Sequence, residues 1–317
     1  MQNTIDWLLD GDPAIKWQVM CDLLDSPPGE YQKARAKVER EGWGADLLSR
    51  QDASGTWANG LYSPKWTSTT YTLLTLRRLG LPHDNPQAQR ACTLFLAKGL
   101  NHDGGINFFK GIDYSETCVN GMLLSLLSYF RSPGVRVHSV ANYLLREQME
   151  DGGWNCERIK GATHSSFHTT ISVLEGFREY AAFHPAPASM MEAIQRAHTF
   201  LLAHRLYKSH HTGEIVDPAM TRMYFPPRWR YDFIRALDYF QSADAPRHER
   251  MTDAIELLMK KESKEGRWPA YSPWAGRMYF VIEKAGKPSR WNTLRALRVI
   301  KWWQGKSKTK TPTRQKN

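Results

Sequence analysis

A polar residue, a glycine four positions later and a tryptophan two beyond that occur three times in this chain: Gln51, Gly55 and Trp57, then Gln148, Gly152 and Trp154, then Glu262, Gly266 and Trp268. Two more stretches keep the glycine and put isoleucine in place of the tryptophan, at Gly104 and Ile106 and at Gly213 and Ile215. The punctuation returns about every 50 residues, and self-similarity at such a period means one supersecondary unit copied along the chain. Ahead of four of these glycines lie short amphipathic stretches, at 91–96, 141–145, 197–202 and 254–258, which read as helices. The glycine after each then reads as a helix stop, because a residue without Cβ takes the left-handed conformation at no steric cost. An irregular loop follows, and then a second apolar helix. Val119, Met122, Leu123, Leu126, Leu127 and Phe130 show the spacing of one buried helical face. Counterparts lie at 71–79, 170–177, 233–240 and 293–300; residues 15–24 look like one more inner helix, with a further helix at 34–41.

Strand signals are nearly absent, so the chain reads as all-α, with about six helical hairpins. Hairpins of this period either stack as an open solenoid or close into a ring. The loops between them, about 10 to 15 residues, exceed what a solenoid turn needs, and loops of that length are usually functional. A closed ring, an α/α-toroid, is therefore expected over 1–304, with an N-terminal hairpin at 1–42 and the repeats at 43–304. An apolar content of 41% over 317 residues is enough for the core of such a ring.

The net charge of +11 raises the question of nucleic acid. Five of those charges, however, belong to Lys306, Lys308, Lys310, Arg314 and Lys316, in a segment at 305–317 with no acid and almost no apolar residue, which is expected to be a disordered basic tail. The remaining charge is spread over helix faces, so no basic stripe for nucleic acid emerges; tail and residual charge together suit peripheral contact with an anionic membrane surface. The chain shows no signal-peptide pattern and no apolar run long enough to span a bilayer. Four widely spaced cysteines without a C-x-x-C pair fit a reduced, cytoplasmic protein.

If the ring closes, residues at the starts of the inner helices gather at one mouth. Trp66, Tyr114, Phe167, Trp229, Tyr231 and Trp291 are the expected substrate-binding residues there. Aromatic walls with a few polar groups are the usual lining of a small-molecule pocket, and ring faces stabilise cations. Asp113, Glu116 and Asp232 are the candidate catalytic acids, and two of them facing each other would suit glycoside chemistry. No phosphate loop, dinucleotide fingerprint or serine nucleophile elbow occurs.

The Gln-x3-Gly-x-Trp pattern, over roughly residues 43–303, resembles the QW repeats of squalene and oxidosqualene cyclases, whose toroid is shared with the β-subunits of protein prenyltransferases. That resemblance implies structural roles for Gln51, Trp57, Gln148, Trp154 and Trp268, and an isoprenoid or other apolar substrate in a central aromatic cavity. In the cyclases a D-x-D-D motif supplies the proton donor. Here the matching segment runs Asp113, Tyr114, Ser115, Glu116, with a serine at the donor's place. A hydroxyl is too weak an acid for that step, which leaves Asp113 or Glu116 to serve if burial raises its pKa. The prenyltransferase branch implies a zinc site, with Glu116, Cys118 and His168 as ligands; here Glu replaces the family's aspartate and Phe167 precedes the histidine instead of tyrosine. Three protein ligands and an open position would make a catalytic-type centre. The competing expectation is a non-catalytic toroid that binds a lipid or a protein partner, since that fold also serves proteins that cyclise nothing.

Overall fold

A computed structural model describes residues 2–305, and it is all-helical apart from isolated bridges; no strand occurs among the described residues. The tail expected to be disordered lies outside the described residues, Gly305 excepted. Six helices form an inner layer: α2 (Pro13–Gln18, prolonged by a π-turn at Val19–Leu23), α5 (Thr69–Leu79), α7 (Thr117–Tyr129), α9 (Phe167–Phe183), α11 (Phe233–Ser242) and α13 (Arg290–Trp303). Behind them lie α1 (Gln2–Leu9), α3 (Pro28–Ala36), α4 (Gly42–Ser49), α6 (Pro86–Gly99), α8 (Gly134–Arg146), α10 (Ala188–Ala203) and α12 (Thr252–Lys260).

The two layers differ as burial demands. Helix α7 is buried along nearly its whole length, Val119 to Tyr129, because it has neighbours on every side. By contrast, α8 buries one stripe, Val137, Val140, Ala141 and Leu144, at the spacing of a single helical face. One hydrophobic cluster runs from Leu8 to Trp302. Helices α7 and α9 approach most closely, and two glycines permit it. A Cβ on Gly121 would stand 2.7 Å from the backbone of Ser172 and Val173, and one on Gly176 would stand 2.7 Å from the Gly121 carbonyl oxygen.

Successive inner helices touch one another, and the last returns to the first. Trp17 Nε1 donates to Leu79 O (2.9 Å), linking α2 to α5. At the other flank of α2, Arg298 of α13 donates to Gln18 Oε1 (3.1 Å) and Asp22 Oδ2 (3.3 Å). Thr4 Oγ1 donates to Glu265 O (3.1 Å), and Arg290 Nε to Trp7 O (3.0 Å). These contacts join the ends of the described chain, as a ring requires.

The tryptophan of the repeated motif is held in the same way in all three copies. Each tryptophan is fully buried, and its indole N–H donates to the carbonyl ten residues earlier: Trp57 to Leu47 (2.7 Å), Trp154 to Leu144 (2.7 Å) and Trp268 to Leu258 (2.8 Å). Its backbone N–H donates to a threonine hydroxyl on the next inner helix: Thr69 (3.1 Å), Thr170 (3.0 Å) and Thr293 (3.0 Å). Gln51 and Gln148 reach outward as well, to Gln87 O (3.0 Å) and Ala193 O (2.8 Å) on the following outer helices. In the third copy Glu262 has no such reach, and the Thr4 hydroxyl takes over that link.

The punctuating glycines do have left-handed backbones, with φ of 86° at Gly55, 96° at Gly152 and 70° at Gly266. They are not helix stops. Each closes a turn beyond the helix end, with its N–H donating to the residue three earlier (Asp52, Met149 and Ser263). Among the described residues no helix is long and apolar enough to cross a membrane.

Candidate functional site

The inner helices begin at one mouth of the ring, where the loops leading into α5, α11 and α13 meet. The loop between Trp268 and α13 crosses this mouth as a strap. It is tied down by Trp66, whose N–H donates to Arg277 O (2.9 Å) and whose indole N–H donates to Ala275 O (2.9 Å), and by Tyr279, whose hydroxyl donates to Thr67 O (3.0 Å). Gly276 passes the Trp66 ring so closely that an added Cβ would lie 2.3 Å from Nε1. Between strap and mouth lies a concavity of about 40 Å³, lined from below by Leu47, Trp66 and Phe225 and from above by Tyr271, Met278 and Phe280 of the strap itself.

Aromatic faces do gather here, and they already carry the chain's own cations. The Arg228 guanidinium lies 5.6 Å from the Trp66 ring centre and Arg230 lies 4.6 Å from Trp229 and 4.0 Å from Trp274. Lys65 stands 5.9 Å from Trp66 and 5.7 Å from Trp229. Burial pulls the pKa of Arg228 down to about 10, which leaves it charged at neutral pH. One carboxyl borders the cavity, that of Glu283, whose pKa burial raises. Both its oxygens accept hydrogen bonds, from the Ser289 hydroxyl and from Trp291 N (3.2 Å).

The rings of Phe225 and Trp291 stack at 4.1 Å and 11°. This stack divides the interior. On its far side, toward the C-terminal halves of the inner helices, lies a polar basin of about 280 Å³. Its centre is Glu175, which accepts from Arg235 (2.9 and 3.0 Å), Arg78 (2.9 and 3.1 Å) and Arg77 (3.4 Å). Burial opposes ionisation of Glu175, but the guanidiniums of Arg235, Arg78 and Arg77 outweigh it and hold the pKa well below the usual carboxylate range. On the opposite wall Arg298 grips Asp238 through two bonds, of 2.6 and 2.8 Å.

Of the residues expected to bind substrate, Trp66 lines the mouth cavity, Trp291 stands behind it against Phe225, and Trp229 belongs to the cation-bearing aromatic group. Tyr231 and Phe167 are buried against each other, 5.1 Å between rings, and the Tyr231 hydroxyl donates to Leu206 O. Tyr114 lies on a separate outer cleft with Asp113. The three candidate acids do not share a cavity. Asp113 is exposed. Asp232 is fully buried as the cap of α11, accepting from Arg235 N (2.7 Å) and Tyr224 N (3.0 Å); burial nevertheless raises its pKa. Glu116 is partly buried at the start of α7, and burial raises its pKa too.

The expected zinc ligands do not form one group: Glu116 lies near enough to act on Cys118, but His168 is turned away toward another loop. Cys118 meets the thiol of Cys156 instead. Its hydrogen bond, with help from Thr169 and against the opposing effect of burial, lowers the Cys156 pKa to about 7. His168 turns toward the loop before α11. Its Nδ1 accepts from Tyr231 N (2.8 Å), and its ring packs edge-on against Trp229 at 5.1 Å. Among the described residues no three His, Cys, Asp or Glu side chains form a group that could hold a metal ion. The physical reason is helix phase: along α9, Thr169 faces Cys156, so its neighbour His168 points elsewhere.

The arginine and carboxylate basin was missed from the sequence. Its signal was there, as charged residues interrupting otherwise apolar inner helices: Arg77, Arg78, Glu175, Arg235, Asp238, Arg295 and Arg298.

No family model and no curated protein matches the chain. Among solved structures, a protein from Actinoplanes is similar over 95% of this chain and 97% of its own, at 16% identity and a TM-score of 0.51. The apo structure of the type II terpene cyclase MstE from Scytonema is similar over 93% of this chain and 89% of its own, at 18% identity and a TM-score of 0.47. A variant of that cyclase in complex with geranylgeranyl dihydroxybenzoate is similar over 92% and 85%, at 18% identity and a TM-score of 0.44. At these identities the likeness concerns the fold alone.

Proposed function

We propose that this chain binds an isoprenoid-like, apolar small molecule at the aromatic mouth, as a holder of that molecule and not as a protonating cyclase. The observation that carries this reading is the convergence of Trp66 and Phe225 of the mouth with Tyr271, Met278 and Phe280 of the strap on one concavity. Aromatic and thioether side chains around a concavity favour an apolar guest. At about 40 Å³ the space holds little more than a water molecule, so the guest enters by displacing the strap. Only a few hydrogen bonds and the rings packed under the strap resist that.

Charge speaks for holding over cyclising. A carbocation formed at the mouth meets the buried Arg228 guanidinium and the neighbouring Arg230 and Lys65, and the aromatic faces that would stabilise it are already taken. The mouth's own carboxyl, Glu283, is engaged through both oxygens. A second reading, a cyclase-like or prenyl-transferring enzyme, is favoured by one observation, the raised pKa of Glu116, which a general acid needs.

The geranylgeranyl chain of the MstE complex suggests the first probe. Titrating geranylgeraniol into the protein should quench or shift tryptophan emission saturably, and Trp66→Ala should weaken binding about tenfold or more, by loss of aromatic contact and of the strap's anchor. Equal affinity in the variant refutes the mouth as the site. Mass spectrometry of extracts after incubation with squalene or geranylgeranyl diphosphate separates the two readings: unchanged substrate supports the holder, and a product that disappears in Glu116→Gln supports the enzyme.

A further inference from the structure

The central basin carries more positive charge than its ion pairs consume. Six arginines line it, Arg35, Arg77, Arg78, Arg178, Arg295 and Arg298, against four carboxylates, Asp22, Glu175, Glu179 and Asp238, an excess of two. His83 also borders the basin; burial and the nearby Arg35 pull its pKa to about 4, so it adds no charge at neutral pH. The arginines are graded by depth, from Arg178, with 26% of its side chain exposed at the rim, to Arg295, with 2% exposed at the floor.

At that floor hydrogen-bonding capacity is left over. Arg295 Nη1 donates to Tyr224 O (3.1 Å) and Asn292 Oδ1 (3.4 Å), but its Nε and Nη2 have no hydrogen-bond partner. The nearest carboxylate oxygens, on Asp238 and Asp232, stand 3.7 and 3.8 Å away. Arg77 is in the same state: its terminal nitrogens pair with Glu179 (2.7 Å) and Glu175 (3.4 Å), and its buried Nε does not. Each buried donor left unpaired costs about 1–3 kcal/mol, more when charged. Burial lowers the pKa of Arg78 to about 10, with Arg235, Arg77 and Arg295 adding to the pressure against the attraction of Glu175. The unpaired nitrogens of Arg295 and Arg77 are themselves buried, so an acceptor reaches them only as the two side chains turn toward the basin.

We infer that the basin is a binding site for a phosphate-class anion, either inorganic phosphate or diphosphate or the phosphate end of a larger molecule, entering past Arg178 and held at the floor by Arg295 and Arg77. A phosphate group brings about two negative charges and three acceptor oxygens, which match the excess charge and the unpaired donors. A carboxylate brings one charge and two oxygens and leaves the basin positive. The planar guanidinium fork suits either anion geometrically, so charge is what discriminates. The Phe225 and Trp291 stack separates this site from the aromatic mouth, so the inference does not rest on the apolar ligand.

Calorimetric titration of the full-length protein with inorganic phosphate, pyrophosphate and dodecyl phosphate tests it. Saturable binding at one site is expected, weakened at raised salt. Arg295→Met should reduce the affinity about tenfold or more, the scale of a charge-assisted hydrogen bond, whereas Trp66→Ala should leave it unchanged. If Arg295→Met does not fold, Arg178→Gln at the exposed rim is expected to fold and to bind about threefold more weakly, from loss of one partly screened charge. Dodecyl phosphate binding more tightly than inorganic phosphate points to a lipid-borne phosphate, and the reverse order to a free anion. Either order supports the site. If none of the three binds, or if every folded variant binds as the parent does, the inference is overturned. Retention of geranylgeraniol binding in Arg295→Met keeps this outcome separate from the fate of the aromatic mouth.

Discussion

Glu175 is the residue on which the interior charges depend. Three guanidiniums converge on its buried side chain, so the pair energy and the cost of breaking it are both large. Glu175→Gln leaves Arg77, Arg78 and Arg235 facing one another, and it should destabilise the fold by about 3–5 kcal/mol, the usual penalty for removing one partner of a buried pair; urea denaturation followed by circular dichroism measures this. Acid acts elsewhere first. Because the pKa of Glu175 is held well below its ordinary 4.5, its contribution persists above 4.5 and is lost only as pH falls toward the folded value. His83, His168 and His198 behave differently, since burial lowers each from 6.5 to about 4. A depressed folded pKa means that the unfolded chain takes up protons first, so their contribution is complete above pH 6.5 and drains away between 6.5 and 4. The urea midpoint should therefore fall between pH 7 and pH 5, before the carboxylates titrate. His198→Phe, which removes one proton acceptor from the core and leaves Tyr239 without its 3.0 Å partner, should lower the midpoint at pH 7 and shallow the pH slope. A midpoint that stays level from pH 7 to 5 in the parent protein contradicts this account.

Single elements show where packing, and not propensity, sets the architecture. Helices α7 and α9 lie against each other through Gly121 and Gly176, where a helix former would ordinarily serve better by about 1 kcal/mol. Gly121→Ala gains that propensity and pushes a methyl to 2.7 Å from the α9 backbone, which cannot yield as a side chain does. The net effect should be a loss of about 1–3 kcal/mol, typical of overpacking, whereas alanine at Gly111, which has nothing within 4 Å, should be tolerated. Comparing the two in one denaturation experiment separates packing from backbone entropy. These elements were legible in the sequence because each is a copy: apolar spacing located α7, α11 and α13 to within about three residues at each end, and α9 by its middle, short of its C-terminal end. What the copies do not encode was misread. The turn glycines passed for helix stops because a positive φ is required in both places, and only the hydrogen-bond register, Gly55 to Asp52 and its equivalents, tells them apart. The strap over the mouth has no helical periodicity, and its only traces are its aromatic content and an Arg-Met-Tyr-Phe at 277–280 that repeats 222–225. Held by few backbone bonds, it should exchange its amides far faster than α7, as hydrogen exchange read by mass spectrometry would show. Protection equal to that of α7 would mean a lid that does not lift.

At the scale of the whole molecule, the sequence foretold that distant residues meet but not which ones. Repeat spacing brings helix starts to a common mouth, and Trp66, Trp229 and Trp291 do cluster around it. Rotation of each helix about its own axis decides which side chains face inward, and spacing carries no record of that; so His168 and Cys118 point apart, and Asp232 is spent on a cap. Closure itself has a consequence that an open superhelix lacks. In a linear array each repeat feels only its neighbours, so damage at one end stays at that end. Here Arg298 of α13 holds Asp238 on one side and Gln18 and Asp22 on the other, fastening the last helix to the first. Arg298→Met cuts that fastening without removing the packing of either helix. Amide exchange should then accelerate by similar factors in α2 and α13, nearly 280 residues apart in sequence, while α7 and α9, across the ring, keep their protection. Acceleration confined to α13 would mean that the two ends merely lie side by side, because a seam that bears load must release both of its edges when it opens.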